Sequence, residues 1–176
     1  MDFAQNVAAH TMNNLAKDCL KSTEFRVLGV GSGHGQTDLR ILTAIATAIE
    51  SSKKRRTVIN TTVIEPSPMI EEFKTSVLCL PQPLKDLATV SFEWQEMTLQ
   101  KFMEGSSNIE CFDMVHFVAS LYYMDAEAAL RYSYEHLVSG GAIFCTVLPE
   151  DSFFPKLSRK LHGRINLGLA QKLYMK

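Results

Sequence analysis

The chain has 176 residues, of which 46% are hydrophobic and 21% charged, which suits one folded domain with a sizeable core and excludes wholesale disorder. Lys and Arg number 18 against 19 Asp and Glu, a net charge of −1, so no global basic field draws the chain to nucleic acid or to an anionic membrane. Its four cysteines, Cys19, Cys79, Cys111 and Cys145, are far apart and form no CxxC or paired-histidine spacing, which argues against a zinc site and against a disulfide framework.

In chain order, residues 2–20 read as a helix, because Phe3, Val7, Thr11, Leu15 and Cys19 recur every four residues behind Asp2 as N-cap. Residues 25–30 form a short apolar run that ends in glycines and reads as a buried strand. A helix follows from about 35 to 51, with Leu39, Leu42, Ile45, Ala46 and Ile49 on one face. Lys53-Lys54-Arg55-Arg56 then reads as a solvated connection, with a nuclear-import signal as the alternative.

Residues 57–64 are rich in β-branched side chains and read as a second strand that stops at Glu65-Pro66. Ser67-Pro68 has the form of a cap followed by proline in a first helical turn, which predicts a helix over 68–78. Residues 89–94 alternate as a third strand, 99–103 form a short helix, and 105–108 a polar loop. A fourth strand is expected over 112–118 and a helix over 126–138, stopped by Gly140-Gly141. A fifth strand over 142–148 and a last helix over 152–161 complete the pattern.

Strands alternating with helices predict an α/β fold, a mostly parallel sheet with helices on both faces. Ligands in such sheets bind beyond the carboxyl ends of the strands. The chain divides into an N-terminal helix (1–22), an α/β core (25–163) and a tail (164–176) of one domain. No basic-then-apolar leader opens it, and no apolar run approaches the ~20 residues that span a bilayer. A reducing cytoplasmic setting and a monomer are the expectation, without nucleic acid or membrane as partner.

The residues that carry chemistry begin with Gly29, Gly31, Gly33 and Gly35, which alternate through the end of strand one into a helix start. Such a loop lets a ligand approach the backbone and offers it the N–H groups of the helix N-terminus. A G-x-G-x-x-G dinucleotide fingerprint would need a third glycine where Gln36 or His34 stands. G-x-G-x-G is instead the spacing frequent in S-adenosylmethionine enzymes. A turn built for packing alone is the bland alternative, and a nicotinamide dehydrogenase a remote one. Glu65, closing strand two, can accept hydrogen bonds from both hydroxyls of a ribose; otherwise it is a carboxylate at a helix start. Thr98 or Leu99 stands where an adenine edge would lie, and Val118, Ala119 and Ser120 where the rest of an adenosyl ligand would run. Asp113 opens strand four at the end away from such a pocket and reads as structural. His116 reads as a satisfied core histidine and His34 as solvent-facing. No Ser/His/Asp or Cys/His arrangement is legible, so no catalytic residue and no metal ligand is assigned.

Residues 27–35 with 37–42, Val63-Ile64-Glu65-Pro66-Ser67, residues 90–94, and residues 112–116 with Leu121-Tyr122-Tyr123 together resemble the histamine N-methyltransferase family over about 25–163. The resemblance implies the Rossmann-like class I methyltransferase fold, S-adenosyl-L-methionine as cofactor, and N-methylation of a small amine or imidazole. It implies cofactor contacts at Gly31, Glu65 and Val118, to which the loop and strand-end reading adds Gly33, Gly35, Thr98 and Leu99 and the family position after Glu65 adds Ile70, and acceptor contacts at Ala119, Tyr123 and Phe154. The family has glutamine where Ile70 and Ala119 stand, and serine where Leu99 stands. It also continues at both ends beyond what this chain matches, which reads as a truncated member lacking the last two strands. The alternative function is therefore a non-catalytic or unstable form that at most binds the cofactor.

Overall fold

The computed structural model describes residues 24–53, 56–105 and 111–146. The expected helices over 2–20 and 152–161, the loop over 106–108, the end of the fifth strand, Phe154 and the tail lie outside the described residues.

In chain order the elements are β1 (Glu24–Val30), α1 (Gln36–Lys53), β2 (Thr57–Ile64), α2 (Ile70–Val77), α3 (Leu84–Leu87) and β3 (Ala88–Gln95). Then come α4 (Leu99–Gly105), β4 (Phe112–Val118), a 3-10 turn (Leu121–Tyr123), α5 (Ala126–Glu135) and β5 (Leu137–Thr146). The strands form one five-stranded sheet in the order β3-β2-β1-β4-β5, and every pairing is parallel. The α/β expectation holds, and the strand order reverses between β1 and β4, where a crevice opens at the carboxyl ends.

Both faces of the sheet are covered, which is why its central strands read as near-continuous apolar runs. Alternate residues of β1 point to opposite layers: Phe25 and Val27 to the α1 side, Leu28 and Val30 to the α4–α5 side. On the first side Ile41, Leu42 and Ile45 of α1 are fully buried, and Phe73 of α2 and Leu84 of α3 join them. Truncating one of these to alanine removes about 2–5 kcal/mol by lost transfer energy and cavity formation. On the other side Leu99 of α4 and Ala126, Ala129 and Tyr132 of α5 cover Val115 and Phe117 of β4.

Three boundaries differ from the sequence expectation. The helix after Glu65 begins at Ile70 rather than 68, because residues 67–69 form a turn in which the Ile70 N–H bonds the Ser67 carbonyl at 3.2 Å. Leu84–Leu87 forms a short helix that no periodicity signalled. Helix α5 ends at Glu135, and Gly140-Gly141 lies inside β5 instead of stopping the helix. The register of β5 against β4 shifts between Phe112 and Met114, so the glycines accommodate a bulge. A Cβ on Gly141 would meet the Asp113 carbonyl at 3.0 Å.

Arg56, from the basic run, is exposed and donates to the Lys85 and Ala88 carbonyls at 3.1 Å each, tying the start of β2 to that of β3.

Gly35 starts α1 with φ +72°, and the Phe73 ring fills the space its Cβ would need, 2.1 Å away. Gly35→Ala should therefore lower the unfolding free energy by about 2–4 kcal/mol, overpacking added to left-handed strain. Gly105→Ala, where a Cβ meets nothing within 4 Å, should stay within about 1 kcal/mol of the parent. Urea denaturation of both variants checks the contrast; equal losses would contradict the Phe73 packing.

Candidate functional site

The glycine loop leaves β1 at Val30 and stays tied to β2, since the Gly31 N–H donates to the Ile64 carbonyl at 2.8 Å. It closes on itself through Gly35 N–H to the Ser32 carbonyl at 3.0 Å, and the Leu39 N–H to Gly35 carbonyl bond then starts α1. Gly31 and Gly33 have φ of +69° and +57°. Their surroundings differ. A Cβ on Gly31 would lie 2.4 Å from the Ser120 Cβ, so that glycine is demanded by packing. A Cβ on Gly33 would meet nothing nearer than Met69 at 3.8 Å, so that stretch of backbone lies bare.

Glu65 is buried at the carboxyl end of β2, 5% exposed. Its Oε2 accepts the Gly33 N–H at 2.7 Å and its Oε1 the Ser67 N–H at 2.8 Å. One carboxylate thus joins the loop after β1 to the turn after β2. Each oxygen uses one lone pair in this and keeps another.

Beside them opens a cavity of about 1000 Å³ at the carboxyl ends of the strands, between the sheet and helices α4 and α5. Of the residues singled out in the sequence, Gly31, Gly33, Glu65, Thr98, Leu99, Ala119, Ser120 and Tyr123 line it, and the Ser120 hydroxyl donates to the Val30 carbonyl at 2.6 Å. Thr98 also caps α4, accepting the Lys101 N–H on Oγ1 at 3.3 Å. Ala119 has φ +52°, a left-handed conformation costly for a side chain with a Cβ, and its N–H donates to Thr146 Oγ1 at 2.9 Å. Tyr123 is 73% exposed at the mouth.

Gly35, Ile70 and Val118 do not line the cavity. Gly35 is covered by the Phe73 ring, Ile70 is buried at the start of α2, and Val118 packs into the α1-side core. The reason for Val118 is strand alternation: it shares its face with Met114, while the cavity lies on the opposite face. Asp125 and Glu104 line the cavity and were not singled out. Asp125 was legible as a cap before α5, and its side chain accepts the Ala128 N–H at 3.1 Å. Glu104 carried no signal, because its facing depends on how α4 docks. The ionisable side chains around the cavity among the described residues are Glu65, Glu104, Asp125 and the Tyr123 phenol. Among the described residues, no group of three or more His, Cys, Asp or Glu is placed to hold a metal ion, and no helix is long and apolar enough to cross a membrane.

Asp113 has the structural role expected: its Oδ2 accepts the Arg26 N–H at 2.8 Å at the amino end of the sheet. Burial raises its pKa, against lowering by Arg26.

His34 is exposed, as expected. His116 differs from expectation. It is 1% exposed, and neither ring nitrogen has a hydrogen-bond partner among the described residues. Its Nε2 lies 3.4 Å from Asp38 Oδ1, an ion-pair distance without hydrogen-bond alignment. The Ser32 hydroxyl donates to the same Oδ1 at 2.5 Å. Serine, aspartate and histidine therefore do meet, although strand and helix periodicity hid it. They lie behind the loop, away from the cavity, and the carboxylate rather than the imidazole is central, so they are no nucleophilic triad.

Burial pushes the His116 imidazole below its ordinary 6.5, against a rise from Asp38. Burial likewise pushes Asp38 above its ordinary 3.8, against lowering from His116 and the Ser32 hydroxyl. The depressed histidine contributes stability that is present above pH 6.5 and lost as pH falls through its lower folded value. The raised aspartate contributes stability present below pH 3.8 and lost as pH rises through its higher folded value. The carbon-bound ring protons of His116, followed by NMR as pH falls, should titrate with a midpoint below the ordinary 6.5. A midpoint at 6.5 would contradict the burial.

No protein-family model matches the chain. Carnosine N-methyltransferase 2 of Gallus gallus is 28% identical over 164 residues, covering 90% of this chain and 47% of the relative. Histamine N-methyltransferase of Xenopus tropicalis is 27% identical over 166 residues, covering 92% and 52%. The chain thus spans about half the length of the curated relatives it matches. Among solved structures, an O-methyltransferase family protein from Burkholderia thailandensis superposes with TM-score 0.54 at 15% identity, covering 89% of this chain and 41% of that one. A Listeria monocytogenes protein described as a putative class I S-adenosylmethionine-dependent methyltransferase gives 0.50 at 12%, covering 92% and 53%. The fold is the class I methyltransferase fold.

Proposed function

We propose, from the premise that this chain is a distant homologue of the histamine and carnosine N-methyltransferases, that its cavity binds S-adenosyl-L-methionine for N-methylation of a small amine or imidazole. The observation that carries the reading is Glu65: a buried carboxylate at the end of β2, facing the cavity beside a bare stretch of glycine backbone.

The residues fit the cofactor in three respects. The spare lone pair on each Glu65 oxygen suits a ribose hydroxyl donor. Thr98 and Leu99 supply the part-polar, part-apolar edge that an adenine ring needs. The carboxylates of Glu65, Glu104 and Asp125, with no lining Lys, Arg or His among the described residues, favour a ligand that carries positive charge. A sulfonium is such a ligand, and so is an amine acceptor on arrival.

Bound there, the cofactor would supply an activated methyl group, so the protein's own task is to orient the two reactants and exclude water. Ala119 and Tyr123 lie on the acceptor side of this reading, and Phe154 joins them on the family resemblance alone. The setting proposed with it is cytoplasmic and monomeric, with a small soluble acceptor.

Incubation with labelled S-adenosylmethionine and a panel of imidazoles and amines should yield methylated product. Cofactor binding without turnover on any of them would instead mark a non-catalytic binder. Glu65→Ala should weaken S-adenosylhomocysteine binding by about 1–3 kcal/mol in calorimetry, the scale of hydrogen bonds lost at a buried site. Gly33→Val should abolish binding and, although its left-handed φ of +57° strains the new side chain and lowers the melting temperature, keep a cooperative melt, because the side chain fills open space rather than core. Unchanged affinity in both variants, or tight binding of NAD instead, would overturn the site.

A further inference from the structure

The glycine loop is gripped from two sides. Glu65 holds the Gly33 N–H from the cavity side at 2.7 Å. From behind, Asp38 in the first turn of α1 takes the Ser32 hydroxyl at 2.5 Å. Asp38 rests on His116 of β4, and both are 1% exposed. Room for this cluster exists because position 29 lacks a Cβ: one there would lie 2.8 Å from Asp38 Oδ1 and from Ser32 Oγ, and 3.0 Å from the His116 ring.

We propose that Ser32, Asp38 and His116 form a buried, uncharged brace that fixes the glycine loop from behind, with Asp38 a positioning residue for the cofactor-binding backbone. The cofactor part of this rests on the reading of the cavity given above.

Four observations argue for an uncharged pair. An ionised carboxylate and imidazolium, both out of water, need well-aligned hydrogen bonds to offset their desolvation. Here the 3.4 Å approach lacks that alignment. Asp38 Oδ2 has no partner among the described residues, and a bare anionic oxygen buried there is far more costly than a protonated one. Among the described residues, Glu65, at the end of β2 on the far side of the loop, is a further charge acting on Asp38, and its negative charge also disfavours ionisation there. Burial acts on both groups in the same sense, towards a neutral acid and a neutral ring. Ser32 stands between Gly31 and Gly33, so its hydroxyl is the link by which the buried pair sets the loop's height above α1.

The test uses three variants of the full chain and two readouts. Ser32→Ala removes the link from a half-buried position and leaves the core residues in place. Asp38→Ala removes the acceptor. Asp38→Asn keeps an oxygen for the Ser32 hydroxyl, yet carries no charge. The first readout, on the ligand-free chain, is amide hydrogen exchange at Gly31 and Gly33 against Val27 and Leu28 in the middle of β1. The second is S-adenosylhomocysteine affinity.

The brace predicts that Ser32→Ala and Asp38→Ala speed loop exchange about tenfold, the scale of one hydrogen bond, with the mid-β1 amides unchanged. Affinity should fall by a similar factor, and Asp38→Asn should stay within about threefold of the parent on both readouts. Loop exchange unchanged in Ser32→Ala would overturn the brace, as would equal acceleration at Val27 and Leu28, which marks general destabilisation. Asp38→Asn as loose as Asp38→Ala would overturn its uncharged state. Should Asp38→Ala fail to fold, Ser32→Ala and Asp38→Asn still decide both points. Loop exchange that responds as expected in a chain that never binds S-adenosylhomocysteine would leave the brace standing and sink the cofactor reading.

Discussion

Everything at the carboxyl end of the sheet depends on where the Glu65 carboxylate sits. In a parallel sheet all strands finish on one side, so the loops that follow them crowd together and bring unpaired backbone N–H groups with them. Glu65 accepts two of these, from Gly33 and from Ser67. It thereby fixes the turn after β1 relative to the turn after β2 without any regular structure between them. Remove the carboxylate and two N–H groups lose their partners, so the loop floor of the cavity loses its reason to lie where it does.

The cavity opens on one side of the sheet because the two layers are filled differently. On the α1 side, long aliphatic residues of an 18-residue helix and the aromatic ring of Phe73 pack on the sheet. Phe73 is in turn held edge-on by Phe92 and Trp94, with ring centroids 5.7 and 5.1 Å away. On the other side, α4 and α5 are short, and α5 lines the cavity with Ala128 and Ala129. Small side chains there leave unfilled volume next to Leu99 and Met103. One layer gives rigidity to the loop and the other gives room for a ligand.

The polar groups are divided in the same way. Those facing the cavity are the carboxylates of Glu65, Glu104 and Asp125, with hydroxyls, the Gln100 carboxamide and backbone. Those behind the loop are buried, and burial disfavours charge on either of them. Glu65 is the carboxylate on the cavity side of the glycine backbone, the side on which a positively charged ligand would arrive. The left-handed backbone at Ala119, across the crevice from the loop, is a further local strain that the surrounding bonds to Thr146 sustain.

The sequence alone determined the alternation of strands and helices, the glycine spacing and the carboxylate at the end of β2. These are local properties: a period of two or 3.6, a breaker, a residue closing an apolar run. Boundaries set by pairing escaped it, as at Gly140-Gly141, where two residues that stop helices sit in a strand because β4 offers a bulged partner. Facing escaped it too. Val118 looked like a cavity residue from its place at a strand end, and alternation turned it into the opposite layer. The meeting of Ser32, Asp38 and His116 was beyond reach for a third reason. They come from a loop, a helix and a strand up to 84 positions apart, and only the docking of α1 on β4 brings their side chains within 3.4 Å.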